Sequence, residues 1–179
     1  MSTSTGPVGP NSVTVSFGER FQASEQFDAI FKEGMALVER TAAYLDGEGR
    51  AEAKRLGPPT SMVYATESMR LTTRLLELAS WLLIRRSLKE GDITPAEAQR
   101  KRERIKLKTL GRPAHIRCFD DLPESLRELI VHSFSLQDRI IQLDRAMTQN
   151  TQASQEAAAE ASPNPVAAQM SMLQQAFTR

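Results

Sequence analysis

The side chains here that could do chemistry gather between His115 and His132. His115-Ile116-Arg117-Cys118 sets two metal-binding residue types three apart, and Asp120, Asp121 and His132 follow. Structural zinc wants four ligands drawn from paired Cys or Cys/His sets. One cysteine and two histidines in the whole chain make a poor set, and Arg117 brings a cation into it. A Cys118–His115 nucleophilic pair is equally thin, because nothing around it builds a pocket. Nor does the sequence contain a glycine-rich phosphate loop, a paired-carboxylate motif or a Ser–His–Asp arrangement. It predicts no metal, no cofactor and no enzyme.

Three further groups carry the chemistry of contact. The run from Arg100 to Lys108, RKRERIKLK, sets six cations against Glu103. Arg100, Lys101 and Arg104 in it suit an acidic protein surface or nucleic acid, and a merely solvated face is the plain alternative. No aromatic residue interleaves the run to stack on bases and the chain's net charge is only +1, both of which disfavour nucleic acid. The second group is Trp81, on a helical flank with Arg70, Arg74 and Arg85. Tryptophan and arginine are enriched at binding hot spots, and Arg85 is one turn from the indole, within cation–π reach. Either Trp81 fills a groove against a third helix of its own fold, or this flank is a partner or dimer interface. The third group is Met170, Leu173 and Phe177, spaced i, i+3, i+7 like the anchors of a helix that docks in a groove.

The elements that must position these groups are helices. Tyr64 to Thr94 runs without proline and with its first glycine at Gly91, long enough for a helix of about 45 Å. Tyr64, Ser68, Leu71, Leu75, Leu78 and Leu82 form one stripe. Ala65, Met69, Thr72, Leu76, Ala79 and Leu83 widen it to about half the circumference, which predicts a central helix packed against two neighbours. A first helix opens near Ser24 and ends at Asp46-Gly47, with Gly47 in the left-handed conformation. A helical turn over Ala51–Leu56 and Gly57-Pro58-Pro59 lead to Thr60 or Ser61 as the cap of the central helix. Gly91 stops that helix. Thr94-Pro95-Ala96-Glu97 joins a capping box to an N1 proline and opens a polar helix that runs to about 108. The last long helix, about 122–147, repeats Leu126, Leu129, Ser133, Leu136, Ile140, Leu143 and Met147 as a seam, with Ile130, Phe134 and Ile141 as a second stripe.

These readings predict an all-α protein: an antiparallel three-helix bundle over 21–147, a basic appendage helix, a flexible arm over 1–20 and a disordered tail over 148–179. The tail's Ala, Gln, Ser and Glu cannot bury enough surface to offset their ordering. The surplus stripe Ile130, Phe134 and Ile141, together with Trp81, predicts a homodimer. No secretory signal is visible in the first twenty residues. The longest apolar run, Leu78 to Ile84, is too short to span a bilayer, and a single cysteine suits a reducing cytoplasm.

The central stretch YATESMRLTTRLLELASWLLIRRSLKEGDIT also resembles an alphaproteobacterial family, the regulator of CtrA degradation (RcdA). The order ES-x-RLTTRL-x-x-LASWLL, followed by an EG-(acidic)-(apolar)-T helix end, carries the likeness, which extends from about Phe17 to Met147. The resemblance implies a dimeric three-helix bundle acting as a cytoplasmic, non-enzymatic adaptor in cell-cycle-regulated proteolysis. It links the ClpXP protease to substrates such as CtrA, together with CpdR-like and PopA-like regulators, and recruitment to a cell pole is a further expectation. A nucleic-acid-associated regulator using the basic helix 95–108 is the alternative.

Overall fold

A computed structural model describes the backbone of residues 17–107, 112 and 116–160, and the side chains of residues 25–107, 112 and 116–149. The chain is all-α: α1 (Phe17–Asp46), α2 (Glu48–Ala53), α3 (Thr60–Glu90), α4 (Pro95–Glu103) and α5 (Glu124–Glu160), with a 3-10 turn at Phe119–Asp121 before α5. No strand occurs among the described residues.

Local signals explain most boundaries. Gly91 caps α3 at φ 83°, where its N–H and that of Asp92 bond back to Leu88 and Ser87, a closure that needs the left-handed backbone glycine tolerates. Thr94 and Glu97 form the expected capping box at α4, with Pro95 as its first residue. Other expectations are corrected. α1 begins at Phe17 rather than near Ser24. Gly47 does not take the left-handed conformation; at φ −104° it precedes α2, and the chain re-enters a helix at once. α3 starts at Thr60 after Pro59, with no side-chain cap. α4 ends at Glu103. α5 continues past 147 to Glu160, through residues expected to be disordered, because TQNTQASQEAAAE holds no proline and its Ala, Gln and Glu are good helix formers.

The three long helices pack against one another in every pairing. α1 runs against α3, since Lys89 pairs with Asp28 at one end while the Tyr64 hydroxyl nears Gly49, just beyond α1, at the other. It runs against α5 too, where Arg40 meets His132 and Glu33 meets Arg139. α3 and α5 run the same way: Arg74 bonds Ser133, and further along Trp81 bonds Asp144. The expected antiparallel order of the trio is therefore corrected. Short connections force antiparallel neighbours, but here the chain returns along α5 before starting it. Its contacts descend from Arg102–Asp144 through Arg112–Asp138 to Asp120–Arg127.

The core is one cluster, in which Leu37, Leu71, Leu78, Trp81, Leu82, Leu126, Ile130, Leu136 and Ile140 are all but inaccessible. Gly34, inside α1, sits so near α3 that a Cβ there would meet the Leu82 Cδ1 at 2.5 Å. Of the two stripes expected on α3, only the first is buried. Met69, Leu76 and Leu83 are 72%, 62% and 53% exposed, because α1 and α5 together cover only one side of the helix.

Candidate functional site

Two polar side chains that α3 turns inward, Arg74 and Trp81, find partners on α5. Trp81 is fully buried and packs its ring 6.4 Å from that of Phe27. Its Nε1 donates to the Asp144 carboxylate at 2.7 Å. The same carboxylate accepts from Arg85 at 3.3 Å and from the Arg102 Nε of α4 at 2.8 Å. Burial alone would raise the Asp144 pKa, but Arg102, then Trp81 and Arg85, hold it below the ordinary value. One carboxylate thus ties α3, α4 and α5 together, and the Arg85 guanidinium lies 5.4 Å from the indole centroid.

This arrangement makes α4 a platform. Ala98 is buried and Arg102 is drawn inward, so the helix can only face outward with the rest of its cations. Arg100, Lys101 and Arg104 are all exposed. The acids on the same helix are already engaged, Glu97 in the capping box and Glu103 with Gln99. A cleft of about 400 Å³ opens between α4 and α5, lined by Gln99, Arg102, Asp144, Arg145 and Thr148. The cations around it can hold an acidic chain by charge, while the carboxylates of Glu103 and Asp144, which also line it, are engaged with Gln99 and with Arg102.

The interface residues expected from the sequence are largely relocated. Arg74, Trp81, Ile130 and Phe134 are 6%, 0%, 0% and 3% exposed, and so sit inside the fold instead of on a partner-facing flank. Arg74 donates to the Ser133 Oγ at 2.7 Å and stacks 3.6 Å from the centroid of Phe134; burial pushes its pKa down to about 10. Arg70 is exposed and pairs with buried Glu67 at 2.7 Å. Arg85 and Ile141 are half-buried. Met170, Leu173 and Phe177 lie outside the described residues, as does His115. Cys118 is a free, half-buried thiol at φ 60°. His132 bonds Glu33 and Arg40, and no group of three or more His, Cys, Asp or Glu placed to hold a metal ion occurs among the described residues.

Asp144 and Arg102 are the residues the sequence reading missed. Asp144 is one turn past Ile140 on the seam of α5, and an acid on an apolar seam is a signal that a cation or donor must meet it there.

A family model described as "Protein of unknown function (DUF1465)" matches residues 18–177. Among solved structures, the crystal structure of RcdA from Caulobacter crescentus CB15 is similar to this chain. The two share 45% sequence identity with a TM-score of 0.57, over 70% of this chain and 93% of that one. No curated protein matches. Among the described residues, no helix is long and apolar enough to cross a membrane.

Proposed function

This chain belongs to the DUF1465 family, and we propose that it is an RcdA-like adaptor in regulated proteolysis, a homodimer without chemistry of its own. It links a ClpXP-type protease in the cytoplasm to cell-cycle substrates of the CtrA type, in concert with CpdR-like and PopA-like regulators, and is a candidate for recruitment to a cell pole. The observation that carries the reading is the 45% identity to RcdA across 93% of that protein. An adaptor raises the effective concentration of substrate at the protease by holding both. The outward cations of α4, held in place by the Arg102–Asp144 bond, suit one of those contacts.

The reading is tested by degradation of a CtrA-type substrate by purified ClpXP and the two regulators, with and without this chain. Faster turnover with the chain is expected. Unchanged turnover of every substrate tried would refute the adaptor role.

A further inference from the structure

α3 carries a second face, turned away from the core, on which no charged residue stands from Met62 to Leu83. Its large side chains recur every seven residues: Met62, Met69, Leu76 and Leu83, exposed by 73%, 72%, 62% and 53%. Ala65, Thr72 and Ala79 stand three residues after the first three of them, which completes an a/d seam. Solvent-facing sides of helices in globular folds ordinarily carry charge. This one is also prepared for burial. Thr66, Thr72, Thr73 and Ser80 each donate the side-chain hydroxyl to the carbonyl four residues back, at 2.9, 2.9, 3.0 and 2.7 Å. Covering the face therefore strands none of these four hydroxyls.

We propose that two copies of the chain associate through this face, their α3 helices packed antiparallel across a two-fold axis beside residue 74. The inference rests on the self-association proposed above and assigns its surface. A two-fold contact must be self-complementary, and this seam is. In the antiparallel register Met69 meets Ala79 of the second copy, Leu76 meets its Thr72, and Leu83 meets its Ala65. Three of the four large side chains then face a small one, Met62 meets Arg86 at the end of the seam, and symmetry repeats each pairing, so the two backbones approach closely along its centre. Charge agrees with this direction. Arg70 and Glu77 stand on one flank of the seam, and the same operation keeps like flanks together and brings Arg70 of one copy beside Glu77 of the other. The face measures about 33 Å by 10 Å. It continues into a groove of about 480 Å³ against α2, lined by Leu45, Ala53, Tyr64 and Met69 together with Arg50 and Ser68. Counted on both copies the strip is about 660 Å², and the adjoining groove must supply the rest of the roughly 1,000 Å² that a specific interface buries.

Sedimentation equilibrium of the full chain at micromolar concentration tests the assignment. The expected mass is twice 19.9 kDa, and Leu76→Glu should shift it to the monomer with an unchanged helical spectrum, weakening association at least tenfold. A wild-type monomer would overturn self-association itself. A wild-type dimer that survives both Leu76→Glu and Met69→Glu would overturn only this face. A wild-type monomer whose α3 face resists hydrogen exchange until the chain is cut after Glu160 would give the face to the chain's own C-terminal segment, against the proposal. Orientation is read by oxidation in a Cys118→Ser background. Thr73→Cys, beside the axis, should cross-link into a covalent dimer. Met62→Cys, with its two copies about 36 Å apart, should not, and a covalent dimer through it would overturn the antiparallel arrangement.

Discussion

The two faces of α3 reverse the usual arrangement of a surface helix. The inner face buries Glu67, Arg74 and the Trp81 indole at 2%, 6% and 0% exposure, while the outer face shows solvent only apolar and hydroxyl side chains. The difference follows from where partners exist. Each inward polar group has one supplied within the chain: Arg70 for Glu67, Ser133 and the Phe134 ring for Arg74, Asp144 for Trp81. Those bonds fix how α5 lies against α3 and so where α4 stands. The outer face has its hydroxyls closed on its own backbone and none of the described residues over it. Hydropathy by itself does not distinguish core from surface on this helix; what does is whether polar groups bond to other helices, as Arg74 and Trp81 do, or only to their own backbone.

The contrast is most strongly tested at Trp81. Trp81→Ala removes the largest buried side chain and leaves Asp144 one donor short, so a loss of about 3–5 kcal/mol or more is expected in urea unfolding. An effect under about 1 kcal/mol would mean that the inner face is not the packed one.

The sharpest comparison uses neighbouring leucines. Leu75 is 4% exposed and Leu76 62%. On protein dilute enough to be monomeric, Leu75→Ala should cost about 2–5 kcal/mol and Leu76→Ala less than about 0.5 kcal/mol. Equal losses would erase the distinction between the faces.

A smaller, pH-dependent effect belongs to the α1–α5 contact. Glu33 is held at a pKa of about 2, well below its ordinary 4.5, chiefly by the Arg139 hydrogen bond, with burial opposing and His132 assisting. Its folded pKa lies below the unfolded one, so the stability it contributes is present above pH 4.5 and is lost as the pH falls toward 2. Glu33→Gln should be less stable than wild type at neutral pH, and the gap should close on acidification through that window. A gap that stayed constant from pH 6 to pH 2 would assign its role to packing.

The least effect on folding is expected at α4. Arg100→Glu, Lys101→Glu and Arg104→Glu together should leave the helical spectrum unchanged and the stability within about 0.5 kcal/mol. Binding to an acidic partner should weaken, most of all at low salt. Unchanged binding at low salt would reduce the cations to solvated surface.

The sequence by itself determined that the chain is helical and where α3 stops and α4 starts. The Gly91 stop and the Thr94–Glu97 box are written within a few residues, because capping is satisfied by near neighbours, and the stripe Tyr64–Leu82 gave the buried side of α3 by its period. The stretch around Trp81 also revealed the relationship to RcdA, now supported by identity across nearly the whole of that protein. Only the tertiary structure decided which of two adjoining stripes is covered, that α5 runs with α3, and that Trp81, Arg74, Ile130 and Phe134 face inward. A helical wheel gives the angle between side chains but not the direction of the neighbouring helix. That direction is set here by contacts such as Trp81–Asp144 and Arg74–Ser133, between residues 63 and 59 positions apart, a separation at which local periodicity holds no information.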